Sequence, residues 1–179
     1  MRIDVDAGKM EVLDEPTYTF GSVDNVRAYP FARNLSTDGR PLTICGVLLN
    51  GEPLVVFGDS GLTRVHQDSV VYVNGQVFIA IGDKVICFCP NPFEFRWQLE
   101  VDSVTCFGLH YSSDHDALIS HGELDIVRFS EDGRVLWPAL GADIFSEGFA
   151  LLSGYVEAID FNFGVYHFDY KTGELIKQP

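Results

Sequence analysis

An all-β fold, arranged as an array of about three to four antiparallel four-stranded sheets, is what this sequence predicts, and three observations predict it. Residues recur at an interval of about 40, with Trp97 followed by Trp137, Ile119 by Ile159 and Gly133 by Gly173. Phe, at 14 copies, far outnumbers Met, at 2, a balance that suits strands better than a flexible helical core. No window sets apolar residues at helical spacing between two capping signals; the nearest candidate, 139–147, is broken by Gly141. A unit of this length cannot bury its apolar face alone, so successive sheets must pack on one another, as in a propeller or an open array.

Taken in chain order, residues 1–41 predict an irregular N-terminal segment. Residues 1–13, with Gly8 near the middle, suggest a strand pair that would close the ring between the termini if it completed the last sheet. Residues 21–40 hold Pro30, Asp38 and Gly39 without a sustained period and predict loop or cap. A weak repeat unit follows at 42–68, with strands at 42–49, 52–57 and 62–66 and a turn at Asn50-Gly51.

The unit at 69–105 is clearer: strands at 70–73, 76–81, 84–89 and 95–101 are separated in part by Asn74-Gly75 and Gly82-Asp83. Asn-Gly is a strong hairpin signal because a type I′ turn needs positive φ at both central residues. The unit at 106–148 repeats the plan with strands at 106–111, 117–120, 124–129 and 134–138 and turns at His121-Gly122 and Asp132-Gly133. The unit at 149–179 has strands at 149–152, 156–161, 165–170 and 174–177, with turns at 162–164 and Thr172-Gly173. All 179 residues suit a single domain. Trp97, Trp137, Phe88, Phe129, Phe168, Ile119 and Ile159 hold equivalent places in successive units and are the expected core.

Net charge is −14 and Lys and Arg are scattered singly, so no basic stripe exists to neutralise a nucleic-acid backbone. Cys45, Cys87, Cys89 and Cys106 contain no C-x-x-C pair and read as core residues in a reducing compartment. Neither a signal-peptide pattern nor an apolar run long enough to span a membrane occurs, which makes the cytoplasm the expected location.

The last two strands of each unit resemble the repeat of quinoprotein-type β-propellers, in which an Asp is followed by a Thr-Gly turn and then a Trp. Asp169-Tyr170-Lys171-Thr172-Gly173 matches the turn, and Gly133-Arg134-Val135-Leu136-Trp137 matches the Gly and Trp portion. The final unit departs with Lys177 where Trp would stand, and the unit ending at Trp97 departs with Phe93 where Gly would stand. Such motifs also recur in WD-type propellers, so the resemblance implies architecture and no cofactor.

Three groupings invite chemistry. Residues 55–63 resemble the first block of GDSL-type esterases, with Gly61 inserted before Leu62, and Gly58-Asp59-Ser60-Gly61 within them resembles the nucleophile loop of trypsin-like proteases. The partner motifs are missing: no Asp stands three before a histidine, and no histidine precedes Ser60, so a tight turn is the favoured reading. His110, Asp114, His115, Asp116 and His121 offer metal ligands, although their spacing across a loop and strands is unspecific. Asp143 with Glu147, and Asp114 with Asp116, could serve acid–base work only if one member were buried. No Gly-rich phosphate loop or dinucleotide fingerprint appears.

No catalytic, cofactor-binding or metal residue is therefore assigned. The expected function is a non-enzymatic binding or protein-interaction module, with loops 59–63, 112–116 and 141–148 as candidate recognition surfaces. Unpaired terminal strands of an unclosed array could also self-associate. The alternatives are an acidic immunity-type inhibitor of a basic effector, steered by charge, and a hydrolase using Ser60 or a metal site.

Overall fold

A computed structural model describes residues 1–177, the last of them by backbone alone, and within these, alternating apolar residues and tight turns form seventeen strands. The first sheet holds β1 (Arg2–Val5), β2 (Gly8–Asp14), β3 (Phe31–Asn34), β4 (Thr43–Leu49) and β5 (Glu52–Asp59), in the order β1-β2-β4-β5-β3. The second is a meander of β6 (Val70–Val73), β7 (Gln76–Ile81), β8 (Lys84–Pro90) and β9 (Phe93–Glu100). The third comprises β10 (Cys106–Ser112), β11 (Ala117–Gly122), β12 (Asp125–Phe129) and β13 (Val135–Leu140). The fourth comprises β14 (Gly148–Leu151), β15 (Tyr155–Ile159), β16 (Val165–Asp169) and β17 (Leu175–Lys177). Among the described residues the only helical element is a 3-10 turn at Gln67–Ser69.

Most of the turns that set this register are the ones the sequence marks, but the turn expected at His121-Gly122 falls two residues later, at 123–124, both residues belonging to β11. Asn50-Gly51 and Asn74-Gly75 carry positive φ at both residues, which is the type I′ requirement. Antiparallel alternation then gives every sheet two ends. One end carries the sheet-to-sheet connections and the second hairpin turn, at 82–83, 123–124 and 160–164; the other carries the first and third turns.

Three expectations in the N-terminal half are corrected. The 1–13 strand pair does not reach the last sheet: β1 pairs with β2 and β2 with β4, so it extends the first sheet. Among the described residues the array stays unclosed, with β14 and β17 as the margins of the fourth sheet. The predicted strand at 62–66 is irregular, its Thr63 and Val65 amides donating to the Thr43 hydroxyl and the Asp14 carboxylate rather than to a ladder. Residues 31–34, expected as loop, form β3 and pair in parallel with β5.

Each pair of neighbouring sheets encloses its own core. Val47, Val55 and Phe57 meet Ile79, Ile86 and Phe88 between the first and second sheets. Phe78, Cys87, Leu118 and Phe129 fill the next interface, and Ile119, Ile126, Trp137, Val156 and Phe168 the last. The outer face of the first sheet is capped by the chain itself. Tyr18, Phe20 and Tyr29 pack there in edge-to-face contact, Tyr29 seated over Gly46 and Phe20 over Gly58, where a Cβ would lie 2.2 Å from the Tyr29 hydroxyl oxygen and 2.6 Å from the Phe20 ring.

The repeated Trp and Gly turn out to be partners. A Cβ on Gly133 would stand 2.7 Å from the Trp97 indole, and one on Gly173 2.6 Å from that of Trp137. Trp97 Nε1 donates to the Glu131 carbonyl and Trp137 Nε1 to that of Tyr170, both at 2.9 Å. Each indole therefore leaves one sheet and lies on the glycine turn of the next, in the same arrangement twice, although Trp137 is buried and Trp97, expected as core, is half-buried. Ile159 departs from its expected core role and is half-buried, because among the described residues no fifth sheet covers it.

Candidate functional site

The Gly58-Asp59-Ser60-Gly61 segment sits between the first and second sheets as a joint. Asp59 is fully buried and pairs with Lys84 Nζ at 3.2 Å and 3.4 Å, while Lys84 also contacts the Asp83 carboxylate. Burial pushes Asp59 up against the pull of Lys84. Burial works to lower Lys84, but Asp83 and Asp59 outweigh it and hold the ammonium above its ordinary value. The Thr43 hydroxyl donates to the Gly61 carbonyl at 2.6 Å, and Gly82 N–H donates to the Thr63 hydroxyl at 3.1 Å. Gly61 itself lies so near Gly82 that a Cβ would fall 2.4 Å from its Cα. Among the described residues no histidine hydrogen-bonds to Ser60, so the geometry provides no base to activate its hydroxyl.

Asp59 belongs to a series. Asp102, also buried, accepts the N–H groups of Val104, Thr105, Leu124 and Asp125 at 2.7, 3.2, 2.7 and 2.9 Å, and a Cβ on Gly122 would collide with it at 2.2 Å. Asp143 accepts the Asn162 side-chain amide at 2.7 Å. Each of these three acids ends or follows the last strand of one sheet in chain order and reaches the second hairpin turn of the next. Sequence reasoning missed them as a set, although their spacing follows the same period of about 40 residues. The second carboxylate of the proposed 143/147 pair, Glu147, accepts the Ser146 hydroxyl at 2.9 Å.

The candidate metal ligands divide. His110 and His121 come together, their rings 6.4 Å apart and both stacked on Phe149, at 4.4 Å and 4.7 Å. His121 Nε2 donates to the Phe145 carbonyl at 2.9 Å, whereas His110 Nε2 is buried without a hydrogen-bond partner among the described residues. Burial, with His121 and His66 nearby and Asp68 opposing, lowers His110 to about 4; burial also lowers His121. His115 goes elsewhere, stacking on Tyr170 at 3.9 Å and donating to the Ser153 carbonyl at 3.0 Å. Asp116 accepts the Tyr111 hydroxyl at 3.0 Å. Among the described residues no three His, Cys, Asp or Glu side chains converge as metal ligands. Burial holds the thiols of Cys45, Cys87 and Cys106 up at about 12, so none is a ready thiolate.

The three expected recognition loops do not form one surface. Loops 59–63 and 141–148 lie at the end carrying the sheet-to-sheet connections, and 112–116 lies at the opposite end. The surface that stands out is instead the outward face of the fourth sheet. Ile159, Tyr155 and Val165 project there with Glu157 and His167; Tyr155 stacks on His167 at 4.0 Å, and His167 Nε2 meets Glu157 at 2.8 Å. The corresponding face of the third sheet bears Ala117, Ile119 and Ile126, and all three are buried by the fourth.

No protein-family model matches the chain, and no curated protein does. Solved structures do match. BamB from Moraxella catarrhalis is 18% identical over 83% of this chain and 48% of its own, with a TM-score of 0.51. The WD40 β-propeller domain of Doa1 is 11% identical over 75% of this chain and 47% of its own, with a TM-score of 0.48. The computationally designed Ika4 protein is 11% identical over 66% of this chain and 76% of its own, with a TM-score of 0.48. The chain thus spans about half the length of the first two. At such identity the likeness to BamB speaks for the fold alone. Together with the Trp-on-glycine repeat, it makes the described residues an unclosed, all-β propeller-type array, similar to the quinoprotein-type propellers at the level of the repeating unit.

Proposed function

We propose that the chain is a single domain of four repeat units acting as a non-enzymatic protein-interaction module, with the outward face of the fourth sheet as its docking surface. One observation carries this reading: the same face of the other three sheets is covered by the next sheet, and here Ile159 and its neighbours belong to no core cluster. Apolar residues at a position built for burial, on a rigid sheet, supply contact area with little ordering cost. Ser60 and the histidines add no reactive grouping that would favour a hydrolase.

Capture from native extract with the wild-type protein and an Ile159→Arg variant tests this. A partner held by the wild type and lost with the variant, whose melting temperature stays unchanged, is the expected result. Equal capture by both proteins would overturn the assignment of this face. Running both at low and high salt separates the alternative, an acidic inhibitor of a basic effector, because charge-steered association falls steeply with ionic strength.

A further inference from the structure

A second surface lies on the outer rim of the first and second sheets and is independent of the open end. There β3 and β9 stand side by side and enclose a trough of about 380 Å³ floored by Val55 and Phe57, with walls of Phe31, Phe93 and Phe95. Phe31 stacks on Phe93 at 4.2 Å yet remains 46% exposed.

Three features of the trough limit what fits it. The first is a free backbone edge. Leu35 N–H donates to the Gly58 carbonyl, so by strand alternation Phe31 and Arg33 turn their backbone groups toward β5, and Ala32 and Asn34 turn theirs outward. Of the other outer edges, β9 is blunted by the Glu94–Arg96 ion pair and β13 by Pro138. The second is the aromatic lining itself. The third is Arg33, whose guanidinium lies 3.9 Å over the Phe95 ring and has no hydrogen bond or ion pair among the described residues, in a chain of net charge −14.

We infer that this rim binds an extended peptide that pairs along β3 and carries an apolar side chain two positions from an acidic one. The spacing follows from the strand period: Phe31 and Arg33 lie on one face, so an added strand presents its own alternate residues to the trough and to the guanidinium. Carboxylate opposite Arg33 supplies the charge this acidic protein leaves unmatched at that point.

Amide NMR of the full chain reads the test, with three blocked peptides as probes: acetyl-Thr-Phe-Thr-Glu-Thr-amide, its Lys-for-Glu counterpart, and acetyl-Thr-Phe-Glu-Thr-Thr-amide. The first is expected to shift the amides of residues 31–34 and 93–95 and to bind roughly fivefold tighter than either control. Arg33→Glu, at an exposed position, should reverse the preference in favour of the Lys peptide while amides elsewhere stay in place. Ile159→Arg should change neither result, which keeps this surface distinguishable from the docking face of the fourth sheet. Absence of shifts at 31–34 at millimolar peptide, or equal affinity for all three probes, would overturn the inference.

Discussion

His110 is a half-buried imidazole whose Nε2 is buried and unsatisfied among the described residues, and its cost depends on pH. The neutral ring stacks on Phe149, and burial lowers it from 6.5 to about 4. As pH falls below 6.5 the unfolded chain takes up a proton on this residue and the folded chain does not. Its contribution to stability is therefore complete above pH 6.5 and is lost progressively down to about pH 4. The full loss is ~3 kcal/mol. His110→Leu should lose less stability than the wild type between pH 7 and pH 4 in denaturant titrations. Parallel acid dependence in the two proteins would place the sensitivity elsewhere, His121 being the next buried imidazole.

The last two interfaces between sheets are held at both ends by elements that recur: an indole on a glycine turn at one end, and a carboxylate on a hairpin turn at the other. Trp137→Ala removes a buried ring and its hydrogen bond and should destabilise by roughly 3–5 kcal/mol. Gly173→Ala, at φ +70° with its new Cβ 2.6 Å from the same indole, should destabilise by more than ~1 kcal/mol. In the double variant the two costs should fall short of their sum, because both break one contact; full additivity would show that the indole and the turn act separately. The Trp–Gly pairing was half legible in the sequence, since the period places the two residues without saying that they touch. The meanders from β6 onward were legible because local turn signals punctuate them. β3 was not: its four residues lack alternation and pair in parallel with a strand more than twenty residues away, so no local pattern reports it. The cap was hidden for the same reason, as Tyr18, Phe20 and Tyr29 lie in a stretch without period and find their seats on Gly46 and Gly58 only in three dimensions. The aspartate series carried a usable signal in its spacing, obscured by the 26 acidic residues around it.

Across the whole molecule the two ends differ, and that difference should be measurable as a gradient of local stability. In a linear array each unit is stabilised by its own strands and by its neighbours, so a unit with one neighbour opens more readily than a unit with two. The second and third sheets have two neighbours. The first has one neighbour and a cap, tied down by the Tyr29 hydroxyl donating to Glu15 at 2.6 Å and Arg27 pairing with the same carboxylate at 2.9 Å. The fourth has one neighbour and a bare face. Native-state hydrogen exchange should therefore find the amides of β15 and β16 less protected than those of β7, β8, β11 and β12, with β4 and β5 closer to the central sheets. Tyr29→Ala empties the seat over Gly46 and breaks the Glu15 bond, so it should lower protection in β4 and β5 and leave β15 and β16 as they were. Uniform exchange across all four sheets would mean that the array unfolds as one cooperative unit and that the cap adds nothing local. A partner on the fourth sheet's outward face would act there as a missing neighbour, and its binding should raise protection in β15 and β16 first.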